Sequence, residues 1–125
     1  MAKYAHPDFI DGAFNMVKTS ADTITYTLCS TQPTTRTEAV TTYMLASTTL
    51  NKATEVTLAN GDTSGRKMTI SAKTAVAVTN TGSGQHVAIC DATRLLYVTT
   101  TTTQAVSGGG TADIGSWKAE IAAPA

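Results

Sequence analysis

The chain has 125 residues and no net formal charge, because nine Lys and Arg balance nine Asp and Glu, and only 14% of its residues are charged. This length predicts one domain, residues 1–125, and the absence of a positive field argues against direct binding to nucleic acid or to an anionic membrane. A surface with so little charge favours a protein partner. No apolar run approaches the length of a membrane span and no basic segment with an apolar core opens the chain, so we expect synthesis in the cytoplasm without export.

The first predicted element is a short helix over residues 8–18, preceded by an N-terminal arm over residues 1–7. Asp8 is placed to accept hydrogen bonds from the first-turn amides. Apolar residues then recur at helical spacing, at Ile10, Phe14 and Val17. Gly12 weakens the helix by about 1 kcal/mol relative to alanine, so we expect packing against a sheet to hold it.

Residues 22–122 are predicted to form the sheet core, which begins with a strand at Asp22–Ser30. Apolar residues alternate there with threonines, which predicts one buried face and one threonine face. The next segment, Arg36–Ala46, is ambiguous. Its capping-box spacing between Thr35 and Glu38 favours a helix, whereas its β-branched residues leave a strand open.

Asn60-Gly61 is a strong hairpin pattern directly after a strand at Glu55–Ala59. The return strand is expected to begin near Gly65. Further along, Asn80–Gln85 is rich in glycine and polar residues, which predicts a flexible turn in a three-stranded meander. The strands of that meander are Ala75–Thr79, His86–Asp91 and Arg94–Thr103.

Five consecutive threonines, Thr99–Thr103, end the last of these strands and suit an edge exposed to solvent or to a neighbouring subunit. After a loop at Gly108–Gly110, Trp117 is expected to anchor a closing strand in the core. We predict two contact regions, the threonine edge and the N-terminal arm. Their candidate interface residues are Thr99, Thr101, Thr103, Tyr4 and His6.

Together these elements predict a mainly β fold. About seven short strands with one or two short helices near the N-terminus indicate a small antiparallel β-sandwich or barrel.

The chain shows no pattern typical of an active site. Its carboxylates are scattered over turns and caps, and neither His6 nor His86 lies in a nucleophile motif. Cys29 and Cys90 have no metal-ligand spacing, which leaves two interpretations: two small buried residues, or a disulfide joining two strands. We therefore expect no catalytic residue, metal or cofactor.

Several segments along nearly the whole chain resemble small structural proteins of tailed bacteriophages. These segments are Ala2–Asp8 with the helix after it, Ser64–Lys67, Gly84–Ala88, Arg94–Thr99 and Trp117–Pro124. The resemblance implies a protein of the virion that binds the major capsid protein, or the portal and neck proteins, and other copies of itself.

Three functions remain open from the sequence. The leading hypothesis is a non-enzymatic capsid decoration or cement subunit, and the nearest alternative is a collar protein at the head-to-tail junction. The third is a glycan-binding β-sandwich of a fibre, which would need exposed aromatic residues beside polar loops.

Overall fold

The computed structural model describes residues 3–124 and shows a mainly β protein, with strands in 47% of the chain. The predicted mainly β fold is confirmed. Of the two predicted architectures, the described residues form the sandwich, because their sheets remain open and separate. Met1 and Ala2 of the predicted arm lie outside the described residues.

The elements follow one another with short connections. In chain order they are α1 (Pro7–Lys18), β1 (Thr25–Cys29), a π-helical turn (Glu38–Thr42), β2 (Met44–Thr49), α2 (Lys52–Glu55), β3 (Val56–Asn60), β4 (Arg66–Ile70), β5 (Lys73–Ala77), β6 (Gly82–Cys90), β7 (Leu95–Val106), β8 (Thr111–Ile114) and β9 (Trp117–Ile121).

Three antiparallel sheets make the sandwich. The first has the order β2-β1-β6-β7, the second β3-β4-β9 and the third β5-β8. A bridge between Ala46 and Val78 connects the third sheet to the first. The main core contains buried apolar residues from all three sheets and from Phe14 and Val17 of α1.

Strand β1 is buried on both faces, which the sequence pattern did not predict. Tyr26 and Leu28 belong to the main core, as expected from their spacing. The opposite face is not solvated, because Thr27 and Cys29 are also fully buried. A second apolar cluster, which includes Cys29, Ala39, Ala88 and Cys90, covers this face under the π-helical turn.

Helix α1 is tied to the second sheet by charged side chains as well as by apolar packing. Arg66 donates to both oxygens of the buried Asp11, from Nε at 2.9 Å and from Nη2 at 3.0 Å. At the other end of the helix, Lys18 Nζ donates to the carbonyl oxygens of Lys52 at 2.7 Å and Val56 at 2.6 Å. The hydrogen bond to Asp11 is the largest of the effects on the Arg66 guanidinium, and it raises the pKa of Arg66.

The predicted entry to this helix is corrected by one residue. The helix begins at Pro7, and the cap is His6, whose Nδ1 accepts a hydrogen bond from the backbone N–H of Asp8 at 3.1 Å. Proline fits the first helical position because its missing N–H would have no partner within the helix.

The ambiguous segment Arg36–Ala46 contains both a helical turn and the start of a strand. The capping contacts are present, since Glu38 accepts from Thr34 N at 2.9 Å and its own N–H donates to Thr35. The turn ends at Thr42, however, and β2 then pairs with β1. From Met44 onward, pairing with the buried strand β1 determines the conformation. Local propensity does not determine it there.

The predicted turn at Asn80–Gln85 is wrong, because most of it is strand. Gly82 and Gly84 pair with Val106 and Gln104 on β7. A side chain at Gly84 would lie 2.7 Å from the Leu28 side chain, so glycine is needed here for close packing. The predicted meander is wrong in its first strand, since β5 pairs with β8 instead of β6, whereas the predicted pairing of β6 with β7 is confirmed.

Other predicted elements are confirmed. Strands β3 and β4 form the hairpin around Asn60-Gly61, and β9 begins at Trp117. The loop at Gly108–Gly110 lies between β7 and β8. Strand β8 was not predicted from the sequence.

The strand conformation at Gly84 can be checked with a pair of alanine substitutions. We expect Gly84→Ala to lower the free energy of unfolding by about 1–3 kcal/mol, because the added methyl group overpacks against Leu28. Gly12→Ala has open space around the new methyl group and should raise it by about 0.5–1 kcal/mol. Urea unfolding of both variants checks this. A neutral Gly84→Ala would contradict the close packing of Gly84 against Leu28.

Acid should destabilise the protein through Asp91. Hydrogen bonds from Thr93 N, and then the Arg94 guanidinium and backbone N–H, lower the pKa of Asp91 despite its burial. A carboxylate with a lowered folded-state pKa stabilises the fold above its unfolded pKa of 3.8, and this contribution is lost as the pH falls through the folded-state value. We expect Tm to fall below about pH 4 and Asp91→Asn to flatten that dependence. Thermal scans between pH 7 and pH 2 measure it, and equal slopes for both proteins would contradict it.

Candidate functional site

The predicted threonine edge lies on β7, which is an edge strand of the first sheet. His86 pairs with Thr100 and Gly84 pairs with Gln104, so three β7 residues, 101–103, lie opposite the single residue Gln85. This bulge breaks the expected alternation of the side chains. As a result Thr103 is exposed, but Thr99 and Thr101 are half-buried.

The exposed threonines of this edge are Thr100, Thr102 and Thr103. A polar groove of about 440 Å³ runs beside Thr100, Thr101 and Thr102 and ends at the loop before β9. Gln104 Nε2 donates to the backbone oxygen of Asp113 at 2.9 Å, which fixes one wall of the groove. The wall also contains Ser116 and the half-buried Trp117. Its hydroxyl, amide and aromatic groups can bind a polar surface.

The N-terminal candidates occupy a different surface. Tyr4 is 80% exposed and lines a groove with Arg66 and Pro124, whereas His6 caps α1. The grooves beside the two predicted contact regions share no residue. The structure therefore does not combine the two contact regions into one groove.

An apolar face was missed by the sequence analysis. In residues 3–124, five large apolar side chains are exposed, and four of them lie around β9. These four, which we call the β9 face, are Phe9, Met16, Tyr97 and Ile121. They line two adjoining grooves that share Ala13 and Ile121. Helical spacing places Phe9, Ala13 and Met16 on one side of α1, but only the fold shows that this side is left uncovered.

Trp117 lies between the groove beside the threonine edge and the β9 face, and its contacts hold the two surfaces in place. Its indole Nε1 donates to Tyr26 Oη at 2.7 Å, and its ring stacks on Tyr97 with centroids 5.4 Å apart. Tyr26 and Tyr97 belong to the first sheet, whereas Trp117 begins β9 in the second. Burial of Tyr26 raises the pKa of its phenol to about 12, so the hydroxyl stays protonated and neutral. Trp117 thus joins the two sheets at the end where β7 and β9 lie.

The cysteines are free, buried thiols. Cys29 pairs with His86 and Cys90 pairs with Thr25, which separates the two cysteines by four residues along neighbouring strands. That offset corresponds to roughly 13 Å along the strands, too far for a disulfide. Of the two interpretations of the cysteine pattern, the structure shows small buried residues.

These thiols are also unsuited to nucleophilic chemistry. Burial raises the pKa of Cys29, and it raises the pKa of Cys90 to about 11. The reactive thiolate form is therefore scarce at neutral pH. Within the part of the chain that the structure describes, no group of three or more His, Cys, Asp or Glu has the arrangement of a metal site. No helix of residues 3–124 is long and apolar enough to span a membrane.

Comparison of the chain with protein-family models, with curated proteins and with solved structures finds no match.

A double-mutant cycle measures the Trp117–Tyr26 hydrogen bond. Tyr26→Phe and Trp117→Phe should each destabilise the fold, because each leaves a polar group of the partner unpaired. The double variant should be less destabilised than the sum of the two single variants, by about 1 kcal/mol. Urea unfolding provides the three values. Strict additivity would mean that the hydrogen bond does not join the sheets.

Proposed function

We propose that this protein is a non-enzymatic structural subunit of a tailed-phage virion that coats or cements the capsid. The proposal combines the sequence resemblance with one observation: nearly all charged side chains have partners within the chain, and the threonine edge on β7, which carries no charge, is open for assembly. The major capsid protein is the proposed partner.

Nearly all charged side chains of the protein bind a partner within the same chain. Eight of the nine basic side chains bind partners within the chain, namely Lys18, Arg36, Lys52, Arg66, Lys67, Lys73, Arg94 and Lys118. Eight of the nine acidic side chains accept hydrogen bonds within it, namely Asp11, Asp22, Glu38, Glu55, Asp62, Asp91, Asp113 and Glu120. The threonine edge itself carries no charged side chain, and such a surface costs less to desolvate than one with free charge.

The threonine edge suits attachment to a protein lattice. An edge strand offers unpaired backbone groups to a neighbouring strand or loop, and threonine hydroxyls add hydrogen bonds without charge. The bulge at residues 101–103 interrupts the regular edge, which limits uncontrolled strand addition between copies. Many copies on one capsid provide avidity, so a modest contact for each copy is sufficient.

Lysine substitutions test the attachment surface. We expect T100K/T102K to weaken binding to capsids that lack this protein by about tenfold or more, because two charges must be desolvated at the contact. The control T54K/T57K adds the same charge at exposed threonines of α2 and β3. Cosedimentation with purified capsids measures binding. Equal binding of the two double variants would contradict the threonine edge as the attachment surface.

Copy number separates decoration from the collar alternative. A decoration subunit should be present at on the order of hundreds of copies per particle, whereas a collar that follows the portal's symmetry should have about a dozen. Quantitative mass spectrometry of purified virions, relative to the major capsid protein, measures this ratio. Absence from the particle would contradict both.

The glycan-binding alternative is favoured by one observation. Trp117 lines the polar groove with Ser116, Gln104 and the threonines of β7, which is the combination of aromatic and polar groups that a sugar site uses. Binding on a glycan array that is lost in Gln104→Ala would support it. An array without hits would leave the structural role.

A further inference from the structure

Strand β9 is an open edge with a self-complementary sequence. It forms one edge of the β3-β4-β9 sheet, and no strand of the described residues pairs with its outer side. Its sequence is WKAEI, so an apolar residue, a cation, a small residue, an anion and an apolar residue follow in order. This pattern has Ala119 at its centre, with Lys118 and Glu120 on either side.

We propose that two copies of this chain pair antiparallel along β9, around a two-fold axis at Ala119. In that register Lys118 lies opposite Glu120 of the second copy, and Trp117 lies opposite Ile121. Each of these pairs occurs twice because the contact is symmetric. The two three-stranded sheets then join into one sheet of six strands. This contact does not depend on the proposed virion role.

Charge complementarity favours a second copy as the occupant. Cross-strand pairs of opposite charge stabilise a sheet, whereas like charges directly opposite each other destabilise it. Within one copy, Lys118 pairs with Asp62, and Glu120 accepts a hydrogen bond from Asp62 N at 2.8 Å. Both side chains remain partly exposed, so they are held near the edge and still accessible to a partner.

The apolar area around β9 also matches a dimer. Phe9 is 82% exposed, and Met16, Tyr97 and Ile121 are between 38% and 41% exposed. At about 200 Å² for a large side chain, this amounts to on the order of 400 Å² of apolar surface. A stable homodimer buries roughly 800 Å² per partner, of which about 65% is apolar. The β9 face therefore supplies most of the apolar part of such an interface.

The fixed position of the Trp117 ring favours pairing along this edge. Its ring is held by Tyr26 and Tyr97, so little side-chain freedom is lost when Ile121 of the second copy covers it. The β9 face lies on the same side of the strand, beside α1. Two-fold pairing would bring the two β9 faces close together.

Charge-reversal variants test the register directly. Sedimentation-velocity centrifugation over a range of concentrations should show a dimer for the unaltered protein. K118E and E120K should each weaken self-association by about tenfold or more, because each places like charges opposite each other at two positions. An equimolar mixture of K118E and E120K should restore the dimer, since opposite charges meet again at both positions. The control T57K adds a charge at the other edge of the same sheet and should associate normally.

Three outcomes would overturn the proposal. They are a monomeric unaltered protein at all concentrations, a dimer that both charge reversals leave unchanged, and a mixture that stays monomeric while both variants keep the unaltered thermal unfolding profile. If either variant loses that profile, the double variant K118E/E120K replaces the mixture. It restores opposite charges within every dimer and should associate like the unaltered protein.

Discussion

The contact of Trp117 with Tyr26 and Tyr97 is the interaction on which both candidate surfaces depend. One hydrogen bond of 2.7 Å and one stacked ring pair connect β9 to the four-stranded sheet. Since β7 and β9 are edges of different sheets, this connection helps to set them side by side at the same end of the sandwich. The polar groove beside the threonines and the apolar face beside α1 lie on either side of Trp117.

The use of charge explains why this small fold presents neutral surfaces. Arg66 and Lys18 hold α1, and Lys52 holds the segment before β1 through the carbonyl oxygen of Asp22 at 2.8 Å. Lys73 and Glu55 pair at 2.8 Å and connect β5 to α2. Charged groups that are satisfied within the chain and sum to no net charge attract no partner from a distance, so shape, backbone edges, apolar area and contacts at short range decide what binds.

Local patterns predicted the parts of the fold that local interactions determine. The helical spacing of Ile10, Phe14 and Val17 predicted α1, and Asn60-Gly61 predicted the β3–β4 hairpin, because each depends on residues close in sequence. The glycines of β6 were interpreted as a turn, since the Leu28 side chain that requires Gly84 to be small lies 56 positions earlier in the chain. Strand β8 was missed, and the start of β2 was left ambiguous with a helix, for the same reason: their partners are distant strands.

The candidate surfaces likewise combine features that local sequence predicts with features that depend on contacts between distant residues. Five consecutive threonines identified β7 as an edge, which the sheet order confirms, but the bulge that changes which threonines are exposed depends on pairing with β6. The β9 face depends on the packing of α1 against the second sheet and on Tyr97 of the first. No sequence spacing relates these residues. The self-complementary order of β9 is present in the sequence. Only the sheet order shows that β9 is an open edge, where this order can guide pairing with a second copy.

Hydrogen exchange measures most directly whether the two edge strands are where this protein assembles. The backbone amides of β7 and β9 that face away from β6 and β4 should exchange quickly in dilute free protein and slowly in protein assembled on purified capsids, while the central strands β1 and β6 stay protected in both. Protection that appears on assembly elsewhere, with β7 and β9 unchanged, would contradict the account.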